Sequence, residues 1–203
     1  MIKNRLMRAT FAFSLLMAAF SSHASNLHSG VYEGLILAIS PAGHLTGYYA
    51  ESATDGVKRT CSFSLSGLVS AQKTNAITSW SSSVLPGQIS ASTDGVKLTI
   101  PGGQTHAGCI NVLMPEINTC LELETTQETH WKALAQANAE RVYLSSTADV
   151  GTRRKAWIVK GDVVGVLQTQ AGWTQIEFVS GAGKMIRGWV NSKEIQPLKP
   201  PAS

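Results

Sequence analysis

A stretch of short β-rich runs between residues 155 and 190 restricts the fold of this chain more than any other part of it. Turn chemistry interrupts the runs at 161–162, 171–172 and 180–183, where glycine stands beside aspartate, alanine or serine. Runs of this length, separated by turns at this spacing, are typical of a meander of short antiparallel strands. Such short strands predict a small barrel, because closure of a sheet removes its exposed edges.

The same stretch carries motifs that resemble a known family. The motifs are Lys160-Gly161-Asp162-Val163-Val164, Gly172-Trp173 and Gly188-Trp189-Val190. In combination they make residues 141–198 similar to the bacterial Src-homology-3 domain. The resemblance implies a five-stranded barrel that is not catalytic and that binds a cell-wall peptide or a protein. Family members often serve as targeting modules of wall hydrolases, but no hydrolase domain is recognisable in this sequence.

Residues 1–24 have the composition of a secretory signal peptide. Three basic residues precede an apolar run over 9–20, and small residues occupy Ser22 and Ala24. The apolar run is too short to span a bilayer, so we expect cleavage after Ala24. No later segment is apolar enough to span a membrane. The sequence therefore predicts a periplasmic or secreted protein.

The charge of the chain argues against nucleic acid as a partner. The formal net charge is +4, and removal of the three basic residues of the predicted signal peptide leaves about +1. This excess is too small to indicate nucleic-acid binding. Arg153, Arg154 and Lys155 form a local basic cluster. It is interpreted either as a solvated loop surface or as a contact for an anionic wall polymer or an acidic protein.

Three cysteines follow the predicted cleavage site, at Cys61, Cys109 and Cys120. An exported chain meets an oxidising compartment, which predicts one disulfide and one remaining thiol. Cys61 shares a strand face with Phe63 and Leu65, so its side chain should point into a core. This favours a Cys61–Cys109 bond. A Cys109–Cys120 bond at the base of a hairpin is the alternative.

Residues 25–125 predict a further β domain. Asp55-Gly56 and Asp94-Gly95 each stand between runs of alternating polarity, which is a strong signal for a hairpin. Seven or eight short strands fit into this range. They predict a small antiparallel barrel or sandwich.

A helix is predicted between the two β domains. Residues 125–128 fit a capping box, with a hydroxyl at the cap and a carboxylate three residues later. Trp131, Leu134 and Ala135 then follow at helical spacing. The pattern predicts one amphipathic helix over 126–139, which would serve as a rigid connector.

The predicted fold is therefore all-β, with two small antiparallel β-barrel or sandwich domains joined by one amphipathic helix after a cleaved signal peptide. Its parts are the signal peptide 1–24, the first domain 25–125, the connector helix 126–139, the Src-homology-3-like barrel 140–198 and a disordered tail 199–203.

Catalytic and metal-binding patterns are not found in the sequence. No histidine stands at ligand spacing from another histidine or a cysteine except His106, and Cys109 beside it lies in a loop without further ligands. There is no G-x-S-x-G elbow and no C-x-x-C motif. The sequence predicts a protein without enzymatic activity, metal or cofactor.

Five residues of the second domain are candidates for a ligand groove. Aromatic side chains with a polar tip often line shallow peptide grooves, and basic residues beside them supply charge. Trp173 has an alternative role in packing the barrel, because it occupies a motif position. The candidates are Tyr143, Trp157, Trp173, Arg153 and Arg154.

Two functions follow from these patterns. The first is a binding protein of the cell envelope, whose partner is a wall peptide or an envelope or secreted protein. The second is an inhibitor or immunity protein that blocks a secreted toxin or wall hydrolase. Residues 101–108 form the candidate plug loop for that role, with Gln104 and His106 as its contact residues, since a rigid loop inserts at low entropic cost.

Overall fold

The computed structural model describes residues 27–54 and 56–201, and this part of the chain is built from β-strands and four short 3-10 helices. Eight antiparallel strands form the first sheet. Strand β1 pairs with both β2 and β8, so the sheet is a closed barrel. The strands are β1 (Gly30–Tyr32), β2 (Leu35–Ile39), β3 (His44–Thr54), β4 (Lys58–Leu68), β5 (Thr74–Trp80), β6 (Val84–Ala91), β7 (Gly95–Thr99) and β8 (Leu121–Glu128).

Alternation along β4 shows how the first barrel obtains its core. Cys61, Phe63 and Leu65 are each at most 2% exposed, whereas the intervening serines are half-buried on the outer face. Period two in the sequence therefore separates an apolar inner face from a polar outer face, as predicted. Burial of each large apolar side chain of this kind stabilises a fold by about 1.5–3 kcal/mol.

The segment between β7 and β8 covers one end of the barrel core. This lid segment, residues 100–120, contains the 3-10 helices Gly103–Thr105 and Pro115–Asn118. Ile117 is fully buried and belongs to the barrel core. The predicted Cys61–Cys109 disulfide is confirmed and joins the lid segment to β4. The alternative Cys109–Cys120 pairing is wrong, because Cys120 is a free, exposed thiol.

Seven strands form the second sheet, which is curled around its own apolar core. Their order across the sheet is β11-β10-β14-β13-β12-β9-β15. The β12–β13 hairpin turns through Ala171 and Gly172, which both have positive φ (48° and 82°), as the twist of a two-residue hairpin favours. The strands are β9 (Ala133–Ala137), β10 (Arg141–Ser145), β11 (Arg153–Val159), β12 (Val163–Gln170), β13 (Trp173–Val179), β14 (Met185–Asn191) and β15 (Ile195–Pro197). The remaining 3-10 helices are Val150–Thr152 and Ser192–Glu194.

The connector helix predicted for residues 126–139 is wrong. The first part of this range completes β8, and the second part forms β9, which pairs with both β12 and β15. The helical spacing of Trp131, Leu134 and Ala135 has another origin, because these residues pack on different surfaces. Trp131 and Leu134 belong to a cluster between the two sheets, and Ala135 belongs to the core of the second sheet. Strand pairing therefore prevails over the local helical pattern.

Trp131 lies at the centre of the contact between the two sheets. It is 1% exposed and packs with Ala38 from β2, Leu134 from β9 and Val163 from β12. Its indole Nε1 donates a hydrogen bond to Glu177 Oε2 on β13 at 2.7 Å. A tryptophan with a satisfied N–H combines a large buried apolar area with a fixed orientation.

Hydrogen bonds from the first barrel hold the backbone around Trp131. Ser29 Oγ donates to the Trp131 carbonyl oxygen at 2.7 Å and accepts from Ile39 N at 2.8 Å. Leu134 N donates to Thr46 Oγ1 on β3 at 2.9 Å. The backbone at Trp131 and at the start of β9 is therefore bonded to the first barrel, and the indole ring of Trp131 is bonded to the second sheet.

Two predicted segments lie wholly or partly outside the described residues. These are the signal peptide, residues 1–24, and the last two residues of the tail. Within the described ranges, no helix is long and apolar enough to cross a membrane.

We expect Gly165→Ala to destabilise the protein by about 1–3 kcal/mol, the usual cost of overpacking a core. A Cβ at Gly165 on β12 would lie 2.2 Å from two ring atoms of Trp131, which has no space to move. The matched control is Gly181→Ala, because nothing lies within 4 Å of a Cβ there. Urea unfolding of both variants measures the difference, and equal midpoints would contradict the packing described for Trp131.

Candidate functional site

The β10–β11 hairpin brings two predicted groove residues together on the outer side of the second sheet. Tyr143 and Trp157 are directly opposite each other in the antiparallel register. Their neighbours Val142, Leu144 and Ile158 are buried in the core of the sheet. Because successive side chains alternate faces, Tyr143 and Trp157 must point outward.

The two rings lie between two arginine side chains. The ring centroids of Tyr143 and Trp157 are 6.1 Å apart and tilted by 56°. The guanidinium carbon of Arg153 is 3.3 Å from the Tyr143 centroid, and that of Arg141 is 4.8 Å from the Trp157 centroid. Both distances are within the range of a cation–π interaction. With Lys155, which alternation places on the same side, these residues form what we call the aromatic-cation face.

Sequence reasoning did not identify Arg141 as part of this face. The signal was available, because Arg141 stands two residues before Tyr143 and therefore points to the same side of β10. Arg141 Nη1 donates a hydrogen bond to the Tyr143 hydroxyl at 3.3 Å. This bond, together with the charges of Arg141 and Arg153, lowers the pKa of Tyr143 from its ordinary value.

The basic groups of the aromatic-cation face have no acidic partners within residues 27–54 and 56–201. The ion pairs found there use other cations, and Lys160 at the end of the hairpin pairs with Glu140 at 3.6 Å. Trp157 is 49% exposed and the following outward residue, Val159, is 45% exposed. The face therefore offers uncompensated positive charge beside exposed apolar surface, a combination that suits a ligand with carboxylates and apolar groups.

Arg154 does not join its neighbours on this face. It points to the inner side of β11, where its Nη2 donates to the Arg187 carbonyl oxygen on β14. A Cβ at Gly188 would lie 2.5 Å from that Nη2, so the guanidinium occupies the space over a glycine. Its Nε is buried without a hydrogen-bond partner. Arg154 therefore supports the junction of the hairpin with β14.

Trp173 lies on the outer side of the sheet but apart from the hairpin. It is half-buried at the start of β13 and pairs with Asn191 on β14. Strand β14 separates β13 from β10, which corresponds to about 10 Å at the usual strand spacing. Among the described residues, no ring contact joins Trp173 to Tyr143 or Trp157.

The candidate plug loop is held firmly against the barrel. Gln104 Nε2 donates to the Leu113 carbonyl oxygen at 2.8 Å, so its amide ties two parts of the lid segment together. The side chains that reach solvent are different ones. Ile110 is 72% exposed and Met114 is 60% exposed. No pattern in the sequence distinguishes these two residues from their neighbours.

His106, the other plug-loop candidate, points into the barrel end. Its ring is 2% exposed and stacks on Phe63 with a centroid distance of 4.8 Å. Nε2 lies 3.0 Å from Ser79 Oγ, and Nδ1 lies 3.1 Å from Ser81 Oγ. Burial lowers the pKa of His106, so the ring is neutral at pH 7. The ring is not available to a partner while the lid segment is in place.

The Ser79–His106 contact has the composition of the Ser–His pair that one class of acyl-transfer enzymes uses. Ser79 is fully buried and His106 nearly so. A substrate carbonyl therefore has no path to the hydroxyl. The pair acts structurally here, because it satisfies the polar atoms of a histidine inside an apolar core.

Carboxylates gather at one cleft of the first barrel. The cleft has a volume of about 450 Å³ and is lined by Glu33, Asp94, Glu122 and Lys97, among others. Lys97 Nζ lies 2.7 Å from Glu122 Oε1, and both side chains are largely exposed, at 43% and 62%. Solvated pairs of this kind contribute little to stability or to chemistry. In the described part of the chain, no three or more His, Cys, Asp or Glu side chains, those of this cleft included, are placed so that they could hold a metal ion, and the absence of a metal centre stays a prediction.

Comparison with known proteins assigns no family to this chain. No protein-family model, no curated protein and no solved structure matches it. The similarity of residues 141–198 to the bacterial Src-homology-3 domain therefore stays a prediction from motifs.

We expect the stability of the protein to fall as the pH drops below about 6.5, the ordinary pKa of histidine. Because the pKa of His106 is lowered in the folded state, the unfolded chain binds a proton first in this window. Above pH 6.5 the effect is absent, and below it the slope for one group is at most about 1.4 kcal/mol per pH unit.

Urea unfolding of the wild type and of His106→Gln between pH 5 and 8 measures this effect. The amide can still bond to the serines but does not titrate, so the variant should show a flatter profile. The matched control is His130→Gln at an exposed position. Parallel profiles for the wild type and His106→Gln would contradict the prediction.

Proposed function

We propose that this chain is an exported, non-enzymatic binding protein of the cell envelope. Its Src-homology-3-like second domain binds a wall peptide or an envelope protein through the aromatic-cation face. The observation that carries this proposal is the group of Tyr143, Trp157, Arg141 and Arg153 on one hairpin, in which Tyr143 is half-buried and the other three side chains are exposed.

The composition of the face supports a binding role. Tryptophan, tyrosine and arginine are the residues that contribute most to the binding energy of protein interfaces. Here they stand on paired strands, and the cation–π contacts already hold the arginines over the rings. A preorganised face loses less side-chain entropy when a partner binds.

Two further observations agree with export. Residues 1–24 have the composition of a signal peptide, and the Cys61–Cys109 disulfide is of a kind that persists in oxidising compartments. A wall peptide or envelope protein is then the class of partner that the second domain would encounter.

Trp157→Ala and Arg153→Ala should each weaken binding to the partner at least about tenfold, as is usual for central aromatic and arginine contacts. The measurement is retention of envelope proteins and of purified peptidoglycan on the immobilised full chain. Lys184→Ala, at an exposed turn between β13 and β14, is the matched control and should bind like the wild type. If the wild type retains neither protein nor wall material, the proposed function is wrong.

A second candidate function is an inhibitor or immunity protein that acts through the lid segment. The observation in its favour is the pair of exposed apolar side chains, Ile110 and Met114, on a segment clamped by the Cys61–Cys109 bond. A clamped loop with an apolar tip can enter a cleft without much loss of entropy.

The two functions predict different sensitive residues. For an inhibitor, the double variant Ile110→Asp and Met114→Asp should abolish protection of cells against the secreted toxin or wall hydrolase that the wild-type chain blocks. Trp157→Ala should leave that protection intact. Survival assays with each variant give the answer, and no protection by the wild-type chain would remove this candidate.

A further inference from the structure

Strand β11 forms an open edge of the second sheet. It has seven residues and pairs with β10 on one side only. The opposite edge is β15, which has three residues and ends in Pro197, so it offers little backbone for pairing. About half of the N–H and C=O groups of an edge strand point away from its neighbour and can accept another strand. In β11 both backbone groups of Val159 bond to Asp162, the N–H to Oδ2 and the carbonyl oxygen to the Asp162 N–H, and the Arg153 N–H bonds to the Val150 carbonyl oxygen. The part of the edge open to backbone pairing is therefore centred on Lys155 and Trp157, and the residues on either side of them contribute their side chains.

The outward side chains of β11 are basic in the first half of the strand and apolar in the second half. Arg153 and Lys155 are basic, and Trp157 and Val159 are apolar and exposed. In a regular extended strand alternate side chains are about 6.6–6.8 Å apart along one face. This spacing applies to Trp157 and Val159, whereas the register with β10 shifts between Trp157 and Arg153. A strand laid beside β11 would place every second residue opposite one of them.

We propose that the β11 edge accepts an extended acidic segment of a partner protein as an additional antiparallel strand. Read from its amino end, this segment has the pattern apolar-x-apolar-x-acid-x-acid, which places its apolar residues against Val159 and Trp157 and its carboxylates against Lys155 and Arg153. The inference rests on the proposed binding function and specifies the partner and the mode of contact. Antiparallel pairing is chosen because it is the more stable arrangement per residue.

Charge complementarity selects this occupant over a second copy of the chain. Antiparallel pairing of β11 with the β11 of another copy would place Arg153 opposite Val159 and Lys155 opposite Trp157, with the two Lys155 side chains diagonal to each other, and would give Arg153, Lys155 and the nearby Arg141 no acidic partner. None of these cations has an acidic partner in the described residues. Like charges across a strand pair are destabilising, and basic residues on edge strands commonly prevent self-association. An acidic strand would instead place negative charges opposite these cations, which is a favourable interaction.

The direct test is calorimetric titration of the full chain with the peptide acetyl-Val-Thr-Phe-Thr-Glu-Thr-Glu-amide. A control peptide of the same composition places the two glutamates side by side and so breaks the period of two. The first peptide should bind more tightly, by up to about fivefold, because the control keeps only one of its two glutamates on the face opposite Lys155 and Arg153. Equal affinity for both peptides would overturn the proposed register.

Backbone pairing is tested with N-methylated forms of the same peptide. Methylation of one alternate set of amides removes the donors that face β11, and methylation of the other set does not. One form should lose at least about tenfold in affinity, and the other should bind within about threefold of the parent peptide. Equal affinity of both forms, or equally tight binding of polyacrylate per carboxylate, would show that charge alone binds and would overturn strand addition.

The polarity of the contact is tested by exchange of charges. The double variant Arg153→Glu and Lys155→Glu should no longer bind the glutamate peptide and should bind the corresponding peptide with lysines in place of glutamates. Lys184→Glu is the matched control. If the double variant still binds the glutamate peptide, the inference fails. If peptides do not bind at all while envelope material is retained through Trp157, strand addition is wrong but the proposed binding function stands.

Discussion

The hydrogen bond between the Trp131 indole and Glu177 is the contact on which the arrangement of the two sheets depends. Glu177 is 7% exposed, and a buried carboxylate is costly unless it is fully bonded. Trp131 Nε1 satisfies Oε2, and the Arg187 guanidinium binds Oε1 with two N–H groups, at 2.8 and 2.6 Å. Because the indole is also packed against residues of the first barrel, one side chain fixes the position of β13 relative to that barrel.

This junction determines which part of the second sheet is free. The apolar cluster around Trp131 takes residues from β9, β12, β13 and β14 of the second sheet, and none from β10 or β11. The hairpin that carries Tyr143 and Trp157 is therefore left outside the contact with the first barrel. Its inner face is covered by the core of its own sheet, and its outer face and one backbone edge are available to a partner.

The fold was predictable where a local pattern has one physical meaning. Alternation predicts that Cys61 lies on the inner face of its strand. There it forms a disulfide with Cys109, which is also buried. The segment at 126–139 was not predictable in this way. Leu134 lies in β9 and Trp131 lies just before it, and both pack into the interface between the two sheets. Their helical spacing follows from this shared interface, which depends on the positions of both sheets.

In the candidate site, too, some features were predictable from the sequence and others were not. Residue type alone identified Tyr143, Trp157 and Arg153, since exposed aromatic and basic side chains on short strands favour binding. Alternation separated Arg154 from Arg153, although both had been assigned to one groove. The inward position of His106 was not visible in the sequence, because it depends on Ser79 and Ser81, which are 27 and 25 residues away.

Outside residues 126–139, the sequence by itself determined the β class of the chain, several of its turns and the alternation of faces along strands such as β4, because these depend on backbone geometry over a few residues. The tertiary structure decided which strands are edges, which polar groups are buried and which aromatic residues meet. These properties depend on pairings between distant segments, whose free energy comes from burial and hydrogen bonds that no single segment contains.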